Sequence, residues 1–113
     1  MKKDKKEDNY LDYVPHKSQN FKWINKEDGI VQIIVDRNSL FEKIVRKLFF
    51  TPESYKVDLD RIGSFIWLQI DGEKDLYDIG ELLKSEFGDD IEPLYKRLIQ
   101  YINILKNNKF IEL

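Results

Sequence analysis

The residue types that do chemistry are sparse in this chain and poorly spaced for it. Among 113 residues there is no cysteine and one histidine. Disulfides, thiolate nucleophiles and cysteine-built zinc sites are therefore excluded. His16 stands beside Pro15 with no orienting partner near it in the sequence. Nucleophilic catalysis needs a base within reach of a Ser or Cys and a third group that orients the base. Gly63-Ser64-Phe65 offers a serine but lacks the second glycine of a nucleophile elbow. Asp75 with Asp78, and Asp89 with Asp90, would suit a divalent cation if they converged. Both pairs fall at expected helix starts, where carboxylates satisfy free N–H groups and the helix dipole, so capping is the stronger reading. The expectation is a protein that is no enzyme and needs no metal and no cofactor.

The elements that place these residues are those of one small domain. The length supports one modest core. Hydrophobic residues make up 42% and charged residues 35%, as in a foldable soluble chain. The net charge of -2 and a pI near 5.5 lack the basic footprint of a dedicated nucleic-acid binder. No apolar run is long enough to span a bilayer. Residues 1–9, with Lys2, Lys3, Lys5 and Lys6 among acids, read as a disordered charged tail and not as a secretory signal. Residues 10–113 read as a single domain, and the expected location is cytoplasmic.

Phe21 to Asn25 and Ile30 to Val35, joined by Lys26-Glu27-Asp28-Gly29, predict a hairpin, because Asp-Gly supplies the positive φ of such a turn. The second of these strands is nearly all apolar and is expected to be central. Ser39-Leu40-Phe41-Glu42 is a capping box that opens a helix with Leu40, Phe41, Ile44, Val45, Leu48 and Phe49 on one face, ended near Pro52. Tyr55 to Leu59 alternates as a third strand, with Tyr55, Val57 and Leu59 facing inward and Lys56 and Asp58 outward. Three helical patterns follow. Asp60 is expected to cap the first, which holds Phe65, Ile66 and the core residue Trp67. Asp75 is expected to cap the second, which Gly88 ends. Asp89 or Asp90 is expected to cap the last, with Pro93 in its first turn and Asn107 and Asn108 at its end. Phe110-Ile111 is expected to return to the sheet. The expected fold class is α+β: a winged-helix-like domain in which a small three-stranded antiparallel sheet precedes a three-helix bundle. One extra helix, over 39–50, is inserted between strands two and three.

Leu59-Asp60, Gly63, Ile66-Trp67, Ile70-Asp71-Gly72 and Ile79, continuing through Leu98 and Leu105 to Phe110-Ile111, resemble the PqqD family. The likeness covers roughly the C-terminal half. Its Gly-x-x-Ile-Trp-x-x-Ile-Asp-Gly core is distinctive, and the Leu and Ile periodicity after it is generic. PqqD assists pyrroloquinoline-quinone biosynthesis, and related domains are the recognition elements of ribosomally made, modified peptides. The resemblance implies three strands followed by three helices. It also implies a non-enzymatic peptide chaperone or adaptor that presents a precursor or leader peptide to a modifying enzyme, often a radical enzyme. The leader would add as a strand beside Tyr55, Lys56, Val57, Asp58 and Leu59 and lie against the last helix, near Tyr95, Leu98, Ile99 and Ile102. The inserted helix departs from the family pattern.

Each site has a plainer reading. Ile91, Leu94, Leu98, Ile102 and Leu105 form one stripe on the last helix, with Ile99 to one side and Tyr101 and Ile104 to the other. That is wider than a surface helix needs. The excess is expected to meet the N-terminal segment, the inserted helix, a second copy of the chain or a peptide. Charges on an edge strand ordinarily discourage pairing with strangers. The rival functions are a DNA-binding winged helix and a structural module that forms a homodimer. Glu86, Asp89, Asp90 and Glu92 before the last helix would repel nucleic acid.

Overall fold

Asp28-Gly29 turns the first hairpin. Gly29 takes φ +84°, its N–H donates to the Lys26 carbonyl at 2.9 Å, and the Ile30 N–H donates to Asp28 Oδ1 at 3.0 Å. The strands on either side are β2 (Lys22–Asn25) and β3 (Val31–Asp36), and β4 (Ser54–Asp58) lies on the far side of β3. The sheet is antiparallel in the order β2-β3-β4, so the nearly all-apolar strand is indeed the central one. In this computed structural model the described residues are 10–36 and 54–113, with backbone alone at 36, 54 and 55. The helix expected over 39–50 and the tail expected over 1–9 lie outside the described residues.

The described residues divide into two compact units, one of 19–36 with 54–64 and one of 10–18 with 65–113. In the first, Val31, Ile33 and Leu59 are buried while Lys56 and Asp58 are exposed, the alternation expected of a sheet with one wet face. Burying each such aliphatic side chain stabilises the fold by roughly 1.5–3 kcal/mol. The sheet's end is closed by a side chain. Ser64 Oγ accepts from the Val31 N–H at 2.8 Å and donates to the Leu59 carbonyl at 3.2 Å, while the Leu59 N–H donates to the Val31 carbonyl at 2.9 Å. Ser64, only 1% exposed, is thus a structural clasp at the last rung of the ladder.

Helix α1 (Arg61–Gln69) carries the chain onward, and its cap is the predicted one: Asp60 Oδ1 accepts from the Gly63 N–H at 2.8 Å. Trp67 is 1% exposed, as a core residue should be. The turn after α1 rests on one carboxylate. Asp71 Oδ1 accepts the N–H groups of Glu73 and Lys74, and Asp71 Oδ2 takes Lys74 Nζ at 2.7 Å. Those bonds, the Lys74 ammonium first, hold the Asp71 carboxyl well below the usual carboxylate range. Gly72 sits at φ +80°, where a Cβ would also lie 3.2 Å from His16 Nδ1. The Asp-Gly pair is therefore required by geometry on both counts.

Helix α2 (Leu76–Phe87) begins with all four of its free donors satisfied. Asp75 and Asp78 form a reciprocal capping box, with the Asp78 N–H on Asp75 Oδ1 at 2.8 Å and the Asp75 N–H on Asp78 Oδ2 at 3.4 Å. The other two donors meet the N-terminal segment: the Leu76 N–H donates to the Tyr13 carbonyl and the Tyr77 N–H to the Leu11 carbonyl. The apolar Tyr10–Pro15 stretch is held there by backbone bonds, and by the Tyr10 hydroxyl, which donates to Asn103 Oδ1 at 2.7 Å.

The last helix starts later than the sequence reading placed it. Asp89 and Asp90 do not cap it; they lie in a 3-10 helix, Gly88–Ile91, and α3 runs over Leu94–Asn107. A proline bars the preceding residue from the α region. Glu92, before Pro93, is extended at φ -67° and ψ 143° and separates the two helices. Ile91 consequently lies off α3, though it is fully buried. The end of α3 is a Schellman closure. The Phe110 N–H donates to the Leu105 carbonyl and the Lys109 N–H to the Lys106 carbonyl, with Lys109 at φ +66°. The chain then enters β5 (Ile111–Glu112). Contrary to the expectation that Phe110-Ile111 returns to the sheet, this strand is not part of the three-stranded one. It pairs antiparallel with β1 (His16–Lys17), His16 opposite Glu112 and Lys17 opposite Ile111. Two residues per strand have no periodicity to read, so this pair was invisible beforehand.

Candidate functional site

The strand-edge part of the site is built from the register of β3 and β4. Ile33 faces Val57, Ile34 faces Lys56 and Gln32 faces Asp58. In an antiparallel pair, opposed residues alternate between those that exchange backbone hydrogen bonds and those that do not. The Leu59 N–H bonds back to Val31, so Leu59, Val57 and Tyr55 turn their backbone groups toward β3. The N–H and C=O of Lys56 and Asp58 then point away from β3. Among the described residues β4 ends the sheet on that side. Its outer edge therefore offers two N–H and two C=O groups in the spacing that an added strand needs.

The side chains of the same two residues differ in their engagements. Asp58 Oδ1 accepts from Gln32 Nε2 at 2.8 Å, and Oδ2 takes Lys26 Nζ at 3.1 Å. The Gln32 and Lys26 hydrogen bonds, in that order, hold the Asp58 carboxyl below its ordinary value. Lys56 is exposed, and among the described residues no carboxylate lies within ion-pair distance of its Nζ. Gln32 and Lys26 were not anticipated as partners. The available signal was Gln32 itself, the one polar residue inside the apolar run Ile30 to Val35.

The helix residues expected to meet a peptide lie on α3, in the second unit. Leu94, Leu98, Ile102 and Leu105 form the buried stripe, with Leu98 and Ile102 at 0% exposure. Leu98 and Ile102, placed among the peptide contacts from sequence, thus present no surface and serve to seat the helix. Tyr95 and Ile99 are half-buried on one flank. The Tyr95 ring stacks on Tyr77 with centroids 6.3 Å apart, and its hydroxyl donates to Glu81 Oε2 at 3.0 Å. It also covers Gly80 so closely that a Cβ there would come within 2.5 Å of the ring. Tyr95 is therefore held by α2. On the opposite flank Ile104 is 55% exposed, a position the sequence reading noted but did not place in the site.

Burial, and then the hydrogen bond to Glu81, push the Tyr95 hydroxyl from 10.0 up to about 12. The folded value lies above the unfolded one, so its stabilising contribution is complete below about pH 10 and is lost as pH rises toward 12. Ultraviolet titration against Tyr95→Phe should show this hydroxyl ionising near pH 12, and Glu81→Gln should lower that value. A Tyr95 that ionised near pH 10 in the folded chain would contradict the contact.

Around the 3-10 helix, Glu86, Asp89, Asp90 and Glu92 are all exposed. Lys84 Nζ reaches Glu92 at 2.7 Å and Asp89 at 3.2 Å, and Arg97 donates to the Asp90 carbonyl at 2.9 Å. Lys84 is thus spent on the surface's own acids, and Arg97 on a main-chain carbonyl. Among the described residues no group of three or more His, Asp or Glu side chains could hold a metal ion.

Comparison with protein families finds a match: the sequence model of coenzyme PQQ synthesis protein D (PqqD) covers residues 49–111, more than half of the chain. The chain belongs to the PqqD family. The matched segment contains β4, α1, α2, α3 and the first residue of β5, and so includes every residue singled out above for peptide contact. It also contains the Asp60 cap, the Ser64 clasp and the Asp71-Gly72 turn. Comparison with curated proteins and with solved structures gives no match.

Proposed function

We propose that this PqqD-family protein holds a precursor or leader peptide and presents it to a partner modifying enzyme, a radical enzyme being the partner the family suggests. PqqD proteins are non-catalytic accessory proteins that bind a precursor peptide in the synthesis of coenzyme PQQ. The observation that carries the proposal is the outer edge of β4. A peptide laid there would take its affinity from the backbone groups of Lys56 and Asp58 and its selectivity from alternate side chains. The row Tyr55, Lys56, Val57, Asp58 and Leu59 is the proposed strand-addition segment. On α3, Ile99 with Tyr95 beside it is the contact first expected, and Ile104 marks the other flank. Leu98 and Ile102 support both from beneath.

The test is chemical-shift mapping with a synthetic leader segment from a short precursor peptide encoded beside this chain's gene. The amides of Lys56 and Asp58 should move most. Asp58→Ala should bind nearly as well as the parent chain, because strand addition uses the backbone. Ile99→Glu and Ile104→Glu test the two flanks of α3 separately, and the one that weakens binding while the fold persists identifies the contacting flank. Shifts that leave both β4 and α3 untouched would overturn the proposal. No helix among the described residues is long and apolar enough to cross a membrane.

A further inference from the structure

The outer face of the three-stranded sheet is unevenly charged across the row that an added strand would extend. By register, Lys22 of β2, Ile34 of β3 and Lys56 of β4 stand side by side. Both lysines are exposed, and Ile34 is half-buried between them. Neighbouring strands lie about 4.8 Å apart, so the two lysines bracket an apolar side chain from positions about 10 Å apart, a little beyond the Debye length at physiological salt. The next row, Ile24, Gln32 and Asp58, contains a carboxylate, but both of its oxygens are occupied by Gln32 and Lys26. Ile24 there is 47% exposed. The face thus presents an acid already hydrogen-bonded to Gln32 and Lys26 in one row, and in the other two cations, of which Lys56 feels the Asp58 charge along the strand but forms no close ion pair among the described residues.

Strand addition turns this difference into a choice. A residue paired with Lys56 through the open backbone groups of β4 has its side chain on this same face. Its Cβ lies about 4.5–5.5 Å from that of Lys56. A carboxylate there meets the Lys56 ammonium directly and the Lys22 ammonium at longer range. A cation there meets two like charges.

We infer that the peptide taken up at the β4 edge is acidic at the position opposite Lys56, and that Lys56 selects it. The inference rests on the strand-addition reading above and adds the charge class of the ligand. Asp58 does not impose the opposite preference one pair along, because its charge is already met by Lys26.

Three acetylated, amidated, fluorescently labelled nine-residue peptides test it. They alternate valine with threonine and differ only at one central outward position, which is Glu, Gln or Lys. Binding is read by anisotropy, and the site by amide shifts. The Glu peptide should bind about two- to fivefold tighter than the Gln peptide, the range for a single opposite-charge cross-strand pair, and the Lys peptide more weakly still. Lys56→Gln should erase the Glu-over-Gln advantage, and high salt should shrink it. Should all three peptides shift the Lys56 and Asp58 amides with equal affinity, the acidic preference is wrong and strand addition stands. If none shifts those amides, strand addition falls and this inference falls with it.

Discussion

Replacing Leu98 by Ala is expected to cost about 2–5 kcal/mol of stability, the range for truncating a buried leucine. Leu98 has no exposed surface and sits at the centre of the buried stripe formed with Leu94, Ile102 and Leu105. The loss combines the transfer free energy of the removed methyl and methylene groups with that of the cavity they leave. How much the site relaxes decides where in the range the value falls. For a small domain this is a large part of the total stability. Urea denaturation should show the midpoint falling while the slope stays constant. Ile99→Glu, one residue along on the half-buried flank, should leave the midpoint much closer to that of the parent chain. The comparison separates the residue that holds α3 in place from one that offers surface. A Leu98→Ala chain that lost less than about 1 kcal/mol would mean that the helix is not seated through this stripe.

Replacing Ser64 by Ala is expected to cost about 1–3 kcal/mol, the penalty of leaving a buried polar group without its partner. The hydroxyl satisfies the Val31 N–H and the Leu59 carbonyl together, and Ala satisfies neither. The residue is 1% exposed, so water does not readily take the place of the hydroxyl. The damage should be local before it is global: exchange of the Val31 amide with solvent should accelerate more than exchange of the Ile79 or Leu83 amides in α2. The variant also bears on function, because the Val31–Leu59 rung anchors the end of β4. A frayed β4 should bind a leader peptide more weakly even where the chain remains folded. Unchanged stability together with unchanged exchange at Val31 would show that the clasp contributes nothing.

Much of the architecture was legible because it depends on bonds between near neighbours in the chain. Asp60 reaches the Gly63 N–H and Asp75 reaches the Asp78 N–H three residues on, so their caps could be named from residue type and position. Asp28-Gly29 marked its turn for the same reason. Alternation in Tyr55 to Leu59 and helical spacing in Leu94, Leu98, Ile102 and Leu105 revealed faces. At Pro93 two local rules compete: the ring is tolerated in a first helical turn, but it also disfavours the α region at Glu92, and the second rule sets where α3 starts. The inserted helix over 39–50 lies outside the described residues.

The site was legible only in part. The resemblance pointed to β4 and the last helix, and the PqqD match includes both. Periodicity cannot tell a wide apolar stripe that meets a ligand from one that meets the chain's own segments. On α3 the structure gives Tyr95 to α2, and Asn103, one turn beyond Ile99, accepts from Tyr10. Side-chain periodicity likewise says which face of a strand is wet, but not which of its backbone groups point to the open edge.

The sequence by itself determined the α+β class, the hairpin, the caps of α1 and α2, the buried stripe of α3 and the family. All of these follow from spacing within a few residues or from a distinctive short motif. Only the tertiary structure decided that Ser64 closes the ladder from 33 residues away, that β1 and β5 join opposite ends of the chain, and that Tyr10–Pro15 completes the start of α2. It alone also decided that Lys56 and Asp58 turn their backbone groups outward. Each of these is a bond between segments distant in the chain. A hydroxyl, an N–H or a carbonyl carries no mark in the sequence of the distant partner it will meet. That choice is made when the core brings the segments together and every buried polar group has to find a partner.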